Sequence, residues 1–365
     1  MKTQQISTIR ATTVIASAVA GVGILSFPRY MADAGNTAAP LVTLAGVGVA
    51  LVDLVIVALL SARFPRENLF QFSSRLLGRR AAWVMNLVLM FFFLMLTSLT
   101  VRQFGEVAST VLFQRTPIEA VILLMLVLAT LSSRRGIVKF SYIHYFYFPL
   151  IIGSIAFILL FSIRKISVIH LMPPGGVNVS ASKFMKGMLE TSALFDRSFV
   201  LTLIVPFMEK PGKAMRAGLL GIGITGLIYL SITAAAIGML GVEEVKLLFY
   251  PTLEVARSIS AGEGLLERLD ALFIIIWVIS VYTTVYTTYY ICSYLLRHLL
   301  HLQDQRLASS ALLPFMFALA MVPENIFISY TAANRLAIAG LAVLTGYPLL
   351  LLALALLRRV KGDSV

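Results

Sequence analysis

Charged and small polar side chains are rare inside the apolar runs of this chain, so their positions carry information. At the centre of the sixth run Asp196 and Arg197 are adjacent, just after Thr191, Ser192, Leu194 and Phe195. An acid and a base at membrane depth are costly to desolvate and face a cavity or a partner. Sequence neighbours on a regular helix diverge by about 100°. Two readings stay open: a substrate or gating group, or a structural ion pair between helices. In the first run Gly21 and Gly23 flank Val22, Ile24 and Leu25 follow, and Pro28 comes five residues after Gly23. Glycine weakens a helix, and proline removes a donor and clashes with the preceding turn. An opened backbone there frees N–H groups that can hold a carboxylate, and carbonyls that can hold an ammonium group or a cation. A simple kink, or close packing at glycine, is the other reading.

Further candidates are weaker. Thr97 and Ser98 lie mid-way along the third run; such hydroxyls more often bond their own backbone. The eighth run carries Tyr282, Thr283, Thr284, Tyr286, Thr287, Thr288 and Tyr289, whose spacing makes a polar face. That face points at a central cavity or forms a hydrogen-bonded seam; Thr284 and Thr287 are the ligand candidates on it. Asp53 in the second run is a buried acid with a structural role or a coupling proton. His144 in the fifth run reads as a packing histidine, and Arg102 and Glu106 as an i,i+4 pair. His298 and His301 have no third metal ligand at suitable spacing. No phosphate-binding loop, nucleophile elbow or HExxH motif is present, so no enzyme activity is expected.

The elements that position these residues follow from composition. Of 365 residues, 59% are hydrophobic and 13% charged, against about 45–50% and about 25% in a soluble domain. That excludes a water-soluble enzyme, a disordered chain and a fibrous repeat, and implies an all-α polytopic membrane protein. The single cysteine, Cys292, permits no intrachain disulfide. Ten spans are expected, near 8–33, 38–63, 81–108, 117–133, 138–163, 183–208, 214–241, 268–296, 307–322 and 333–357, within one transmembrane domain over 1–365. The start shows no small-residue cleavage motif, so the first run is expected to stay in the fold.

The net charge of +13 is a topology signal. One set of ends and loops holds 18 of the 30 basic residues and only four acids, and the remainder nets −1. Both termini are therefore expected inside, and nucleic-acid binding, which needs a basic face with aromatic platforms, is not expected. Residues 67–77 read as a short interfacial helix ending at Gly78. Residues 243–260 have the spacing of an amphipathic surface helix. Gly218, Gly221, Gly223 and Gly226 crowd the seventh run and imply close helix approach.

Residues 21–35, GVGILSFPRYMADAG, and residues 266–277, LERLDALFIIIW, resemble the spore-germination receptor B subunits of the GerAB type. These belong to the amino acid–polyamine–organocation (APC) transporter superfamily, and the resemblance covers essentially the whole chain. It implies a ten-helix bundle with the LeuT-type 5+5 inverted repeat, about 8–163 and 183–357, with discontinuous helices 1 and 6. It implies a small amino acid bound between spans one, three, six and eight. On that basis Gly21, Val22, Gly23, Ile24 and Leu25 are expected at the ligand carboxylate, facing Thr191, Ser192, Leu194 and Phe195. The sixth run lacks a glycine at the expected break, which leaves the geometry of that wall open. The mainly apolar and hydroxyl lining favours a small neutral amino acid. Asp53, Asp196 and Arg197 are expected as a gating or charge network. No cofactor or metal is expected; a coupling proton or sodium ion is left open. The resemblance further implies an A subunit and a lipoprotein C subunit as partners, in the spore inner membrane. A free-standing proton- or sodium-coupled amino acid permease is the alternative, and an unbroken first helix would favour a ligand-free scaffold over both.

Overall fold

The computed structural model of the chain describes residues 5–260 and 269–362. Among them the architecture is all-helical. The first span is α1 (Thr8–Val19) and α2 (Gly23–Gly35), separated by Ala20, Gly21 and Val22. Next come α3 (Ala39–Arg63), the short α4 (Leu69–Leu77), α5 (Arg79–Val111), α6 (Ile118–Ser133) and α7 (Ile137–Ser162). The sixth span is α8 (Ala181–Leu194), a 3-10 segment Phe195–Val200, and α9 (Leu201–Ile204). Then follow α10 (Ala214–Leu240), α11 (Val242–Leu247), α12 (Pro251–Ser260), α13 (Leu269–Leu299), α14 (Gln305–Met321) and α15 (Ile326–Leu357). Among the described residues six stretches are long and apolar enough to cross a bilayer, and α1, α6 and α14 are shorter apolar helices. α3 shows why apolar residues lie on both sides: Val42, Leu54 and Val57 are buried, while Leu41, Leu44 and Val52 face outward, where lipid would solvate them.

Helix contacts carry the inverted repeat. Span two (α3) packs on span seven (α10), span three (α5) on span eight (α13), and span four (α6) on span nine (α14). Likewise α1 rests on α7, and its counterpart α8 rests on α15. Three of the four expected glycines of α10 make the α3 and α1 contacts close: a side chain at Gly218 would meet Leu54, one at Gly226 would meet Val47, and one at Gly221 would meet Ile15, whereas Gly223 faces open space.

Both discontinuities have local causes. At the first, Gly21 lies against Thr284 of α13, with no room for a Cβ. The Gly21 N–H turns back to the Val19 carbonyl at 2.8 Å. Farther on, Pro28 lacks the N–H that would pair with Ile24, and Thr252 of α12 donates to that carbonyl instead at 2.7 Å. The sixth span tightens rather than opens. A 3-10 turn uses dihedrals open to any residue, so this break needs no glycine.

The small elements follow their signals. α4 starts in a capping box between Asn68 and Gln71 and ends at Gly78, whose φ is 83°. α11 and α12 fill the amphipathic stretch. α15 begins at Ile326, earlier than hydropathy implies, because Asn325 caps it by accepting from the Ile328 N–H at 3.0 Å. Residues 266–268 of the segment quoted above lie outside the described residues.

Candidate functional site

Where α2 restarts after the break, its N-terminal turn borders an internal cavity of about 90 Å³. Val22, Gly23, Ser26 and Tyr30 form one wall, Leu96, Thr100 and Gln103 of α5 a second, and Ala193, Leu194 and Arg197 of the sixth span a third. Tyr330, Ala333 and Asn334 of α15 close it. Above it, on the side opposite the termini, opens a vestibule of about 600 Å³ bordered by Arg29, Asp33, Lys186, Phe249 and Arg335. Ser26, Tyr30, Glu190, Tyr330 and Asn334 line both spaces, so they form the neck between them.

Charge is distributed along this path. Glu190 sits at the neck, where its Oε1 accepts from Asn334 Nδ2 at 2.6 Å and lies 3.6 Å from Lys186 Nζ. Arg197 borders only the inner cavity. Its Nη1 donates to the Leu194 carbonyl at 3.2 Å and its Nη2 to Thr100 Oγ1 at 3.3 Å, while Nε has no partner. The N-terminal turn of α2 adds the partial positive charge of a helix start to the same cavity. Positive charge thus lies deep in the cavity, and a carboxylate with Lys186 beside it lies at its neck.

Asp196 points elsewhere. With Asp53, Ser192, Phe195 and Thr345 it lines a separate space of about 20 Å³ between α3, the sixth span and α15. Ser192 donates to Asp53 Oδ2 at 3.3 Å. No ion pair within 4.0 Å joins Asp196 to Arg197 among the described residues.

The remaining sequence candidates are placed as follows. Val22, Gly23 and Leu194 border the inner cavity. Gly21 is behind it, against Thr284. Ile24 and Leu25 are buried in the core. Thr97 and Ser98 donate to their own helix, at the carbonyls of Phe93 (2.7 Å) and Leu94 (2.9 Å). Thr191 donates to the Gly187 carbonyl at 2.9 Å, and Phe195 meets Tyr229 edge-on.

The polar face of α13 forms a seam. Thr283 donates to the Ser17 carbonyl at 3.0 Å, and Ser280 to the Ala20 carbonyl. From α10, Tyr229 reaches the Val19 carbonyl at 3.1 Å and Thr225 the Ala16 carbonyl at 3.2 Å. The carbonyls at the end of α1 are thus held by side-chain hydroxyls. His144 bridges Ser17 Oγ (2.6 Å) and Thr287 Oγ1 (3.2 Å), which fits the packing reading. Arg102 and Glu106 pair at 2.9 Å. His298 stacks on Phe70, and no metal-binding cluster occurs among the described residues.

Sequence reasoning missed Gln103, Glu190, Tyr330 and Asn334. Glu190 was visible as an acid one helical turn before Leu194. Tyr330 falls before the expected tenth span at 333–357, because the start of α15 is polar.

The profile of the spore germination protein family matches residues 5–328. The chain belongs to that family. Among its relatives, spore germination protein YndE of Bacillus subtilis (strain 168) is 25% identical over 365 residues, covering 99% of both chains. Spore germination protein B2 of the same organism is 25% identical, covering 91% of this chain and 90% of its own. Spore germination protein GerLB of Bacillus cereus is 24% identical over 96% of this chain and 94% of its own. Two solved transporters share the fold. Mhp1, a nucleobase-cation-symport-1 family transporter in a closed conformation with bromovinylhydantoin bound, superposes with a TM-score of 0.69 at 14% identity, over 95% of this chain and 78% of its own. MhsT in complex with L-phenylalanine superposes with a TM-score of 0.68 at 13% identity, over 94% and 89%. This spore germination family member therefore shares the LeuT-type fold of those transporters. It is an integral membrane protein whose fold is that of solved transporters.

Proposed function

We propose that the chain is the ligand-sensing membrane subunit of a nutrient germinant receptor and binds a small neutral amino acid as its zwitterion. The observation that carries this reading is the arrangement of Arg197 and the α2 N-terminus deep in the inner cavity with Glu190 at its neck. The carboxylate goes to Arg197 and the N–H groups near Gly23, and the ammonium group to Glu190. The cavity is small, which favours a short side chain. In this reading the protein lies in the spore inner membrane with both termini cytoplasmic, so the vestibule faces outward. Its partners are the A subunit and the lipoprotein C subunit. Binding shifts the conformational equilibrium by its differential affinity for the two states, and the partners convert that shift into ion release.

The alternative is a free-standing amino acid permease, which the same cavity and fold would serve. Reconstitution separates the two. Proteoliposomes holding this chain alone are expected to bind the amino acid with little net uptake, and the chain is expected to co-purify with the A and C subunits of its own spore. Concentrative uptake by the isolated chain, driven by a proton or sodium gradient, would instead establish the permease.

A further inference from the structure

Carbonyls freed at a helix break are the usual place to look for a bound cation, yet in this chain they are occupied. Val19 and Ala20 accept from the Tyr229 and Ser280 hydroxyls, and the Thr225 and Thr283 hydroxyls lie within hydrogen-bond reach of Ala16 and Ser17 as well as of their own helices. A cation entering there would have to displace those donors. An unpartnered carboxyl oxygen lies on the other side of the sixth span. Asp196 is 7% exposed, and its Oδ2 is buried without a hydrogen-bond partner. A buried carboxylate oxygen left alone is expensive. This one borders the 20 Å³ space that Asp53, Ser192 and Thr345 also line, which is room for about one water-sized occupant. The Ser192 hydroxyl donates to Asp53 Oδ2 at 3.3 Å, and the Thr345 side chain lines the same space. Gly340 of α15 lies close to the acid: a Cβ there would run into the Phe92 ring and stand 3.0 Å from Asp196 Oδ2.

We propose that Asp53 and Asp196, with Ser192 and Thr345, bind one small monovalent cation, a proton or a sodium ion. The site joins α3 and α15 to the 3-10 segment of the sixth span. Two carboxyls facing one small space cannot both hold an uncompensated charge. Among the described residues Arg197 forms no ion pair with either carboxyl: its guanidinium is turned to the Leu194 carbonyl and the Thr100 hydroxyl in the other cavity, so its charge offsets theirs only from a distance. The charges that act on Asp196 are those of Arg197 and Asp53. Glu190 lies at the neck of the vestibule, α15 contributes only the Thr345 hydroxyl, and the Tyr229 hydroxyl of α10 is given to Val19. Because Asp196 and Arg197 are adjacent in one 3-10 segment, an occupant on the acid side constrains the backbone that places the guanidinium. The site itself does not depend on the ligand reading.

The test uses the full-length protein in detergent without amino acid. Thermal melts are run from pH 5 to 9 in sodium chloride and in choline chloride at equal ionic strength. In parallel, sodium is titrated into weakly buffered protein with a pH indicator. If sodium is the occupant, it raises the wild-type Tm by about 2–4 °C at alkaline pH and displaces protons. If the proton is the occupant, sodium changes nothing and the Tm falls as pH rises. In either case Asp196→Asn, and independently Asp53→Asn, flattens the response. A wild-type Tm indifferent to both sodium and pH, or a response that survives in both variants, overturns the proposal. The wild-type titration stands even where a variant fails to fold.

Discussion

Asp196 and Arg197 are neighbours in the chain but border different cavities: the acid faces Asp53 across a space between α3 and α15, and the base faces the cavity under the vestibule. The 3-10 segment Phe195–Val200 makes this separation possible. Its residues advance by about 120° rather than 100°, so successive side chains serve three different neighbours.

Arg197→Gln is expected to keep the fold and weaken binding of a zwitterionic amino acid about 10- to 100-fold, the loss of charge-assisted hydrogen bonds to a carboxylate. Arg197→Lys should retain part of the affinity. Titration calorimetry on the purified variants checks this.

Glu190→Gln is expected to act on the other end of the ligand. It removes the partner of the ammonium group while leaving a side chain that still reaches Asn334. Affinity for an amino acid should fall, whereas a des-amino analogue should bind the variant at least as well as the wild type. Competition binding with the two compounds measures the selectivity.

Gly21→Ala is expected to lower stability by about 1–3 kcal/mol, because the new Cβ enters the space of the Thr284 side chain. Gly21→Ala combined with Thr284→Gly should recover part of that loss. Thermal melts of both singles and the double give the coupling between the two positions.

Thr252→Val is expected to cost about 1 kcal/mol, since the Ile24 carbonyl opposite Pro28 then has no donor. Hydrogen exchange should quicken in α12, which this bond seats on α2.

Much of the fold was legible because the bilayer imposes it. Apolar length set the spans, and Gly21 with Gly23 marked the first break. The second break was harder to see: it is a 3-10 tightening, which leaves no glycine behind. The cavity was less legible than the helices. Thr284 and Thr287 have the residue types of a ligand site, but their hydroxyls go to Ser280 and to His144 and Thr283. Only the three-dimensional packing of α13 on α1 decides that. Tyr330 and Asn334 were hidden for other reasons. Tyr330 precedes the expected tenth span, where polarity at the end of an apolar run resembles a loop, and Asn334 is a lone amide at the start of that span with nothing in its spacing to single it out.

The central claim is that a small amino acid occupies the cavity beside the broken first helix. The most direct measurement is the thermal shift of the purified protein against the standard amino acids, with Gly23→Trp as the comparison. Residue 23 faces Leu194, with 3.1 Å from a Cβ to the nearest side-chain atom, so a tryptophan there fills the space. A rise in Tm with one short amino acid, absent in a folded Gly23→Trp protein, is the predicted result. An equal rise in wild type and variant would place the ligand elsewhere and contradict the account.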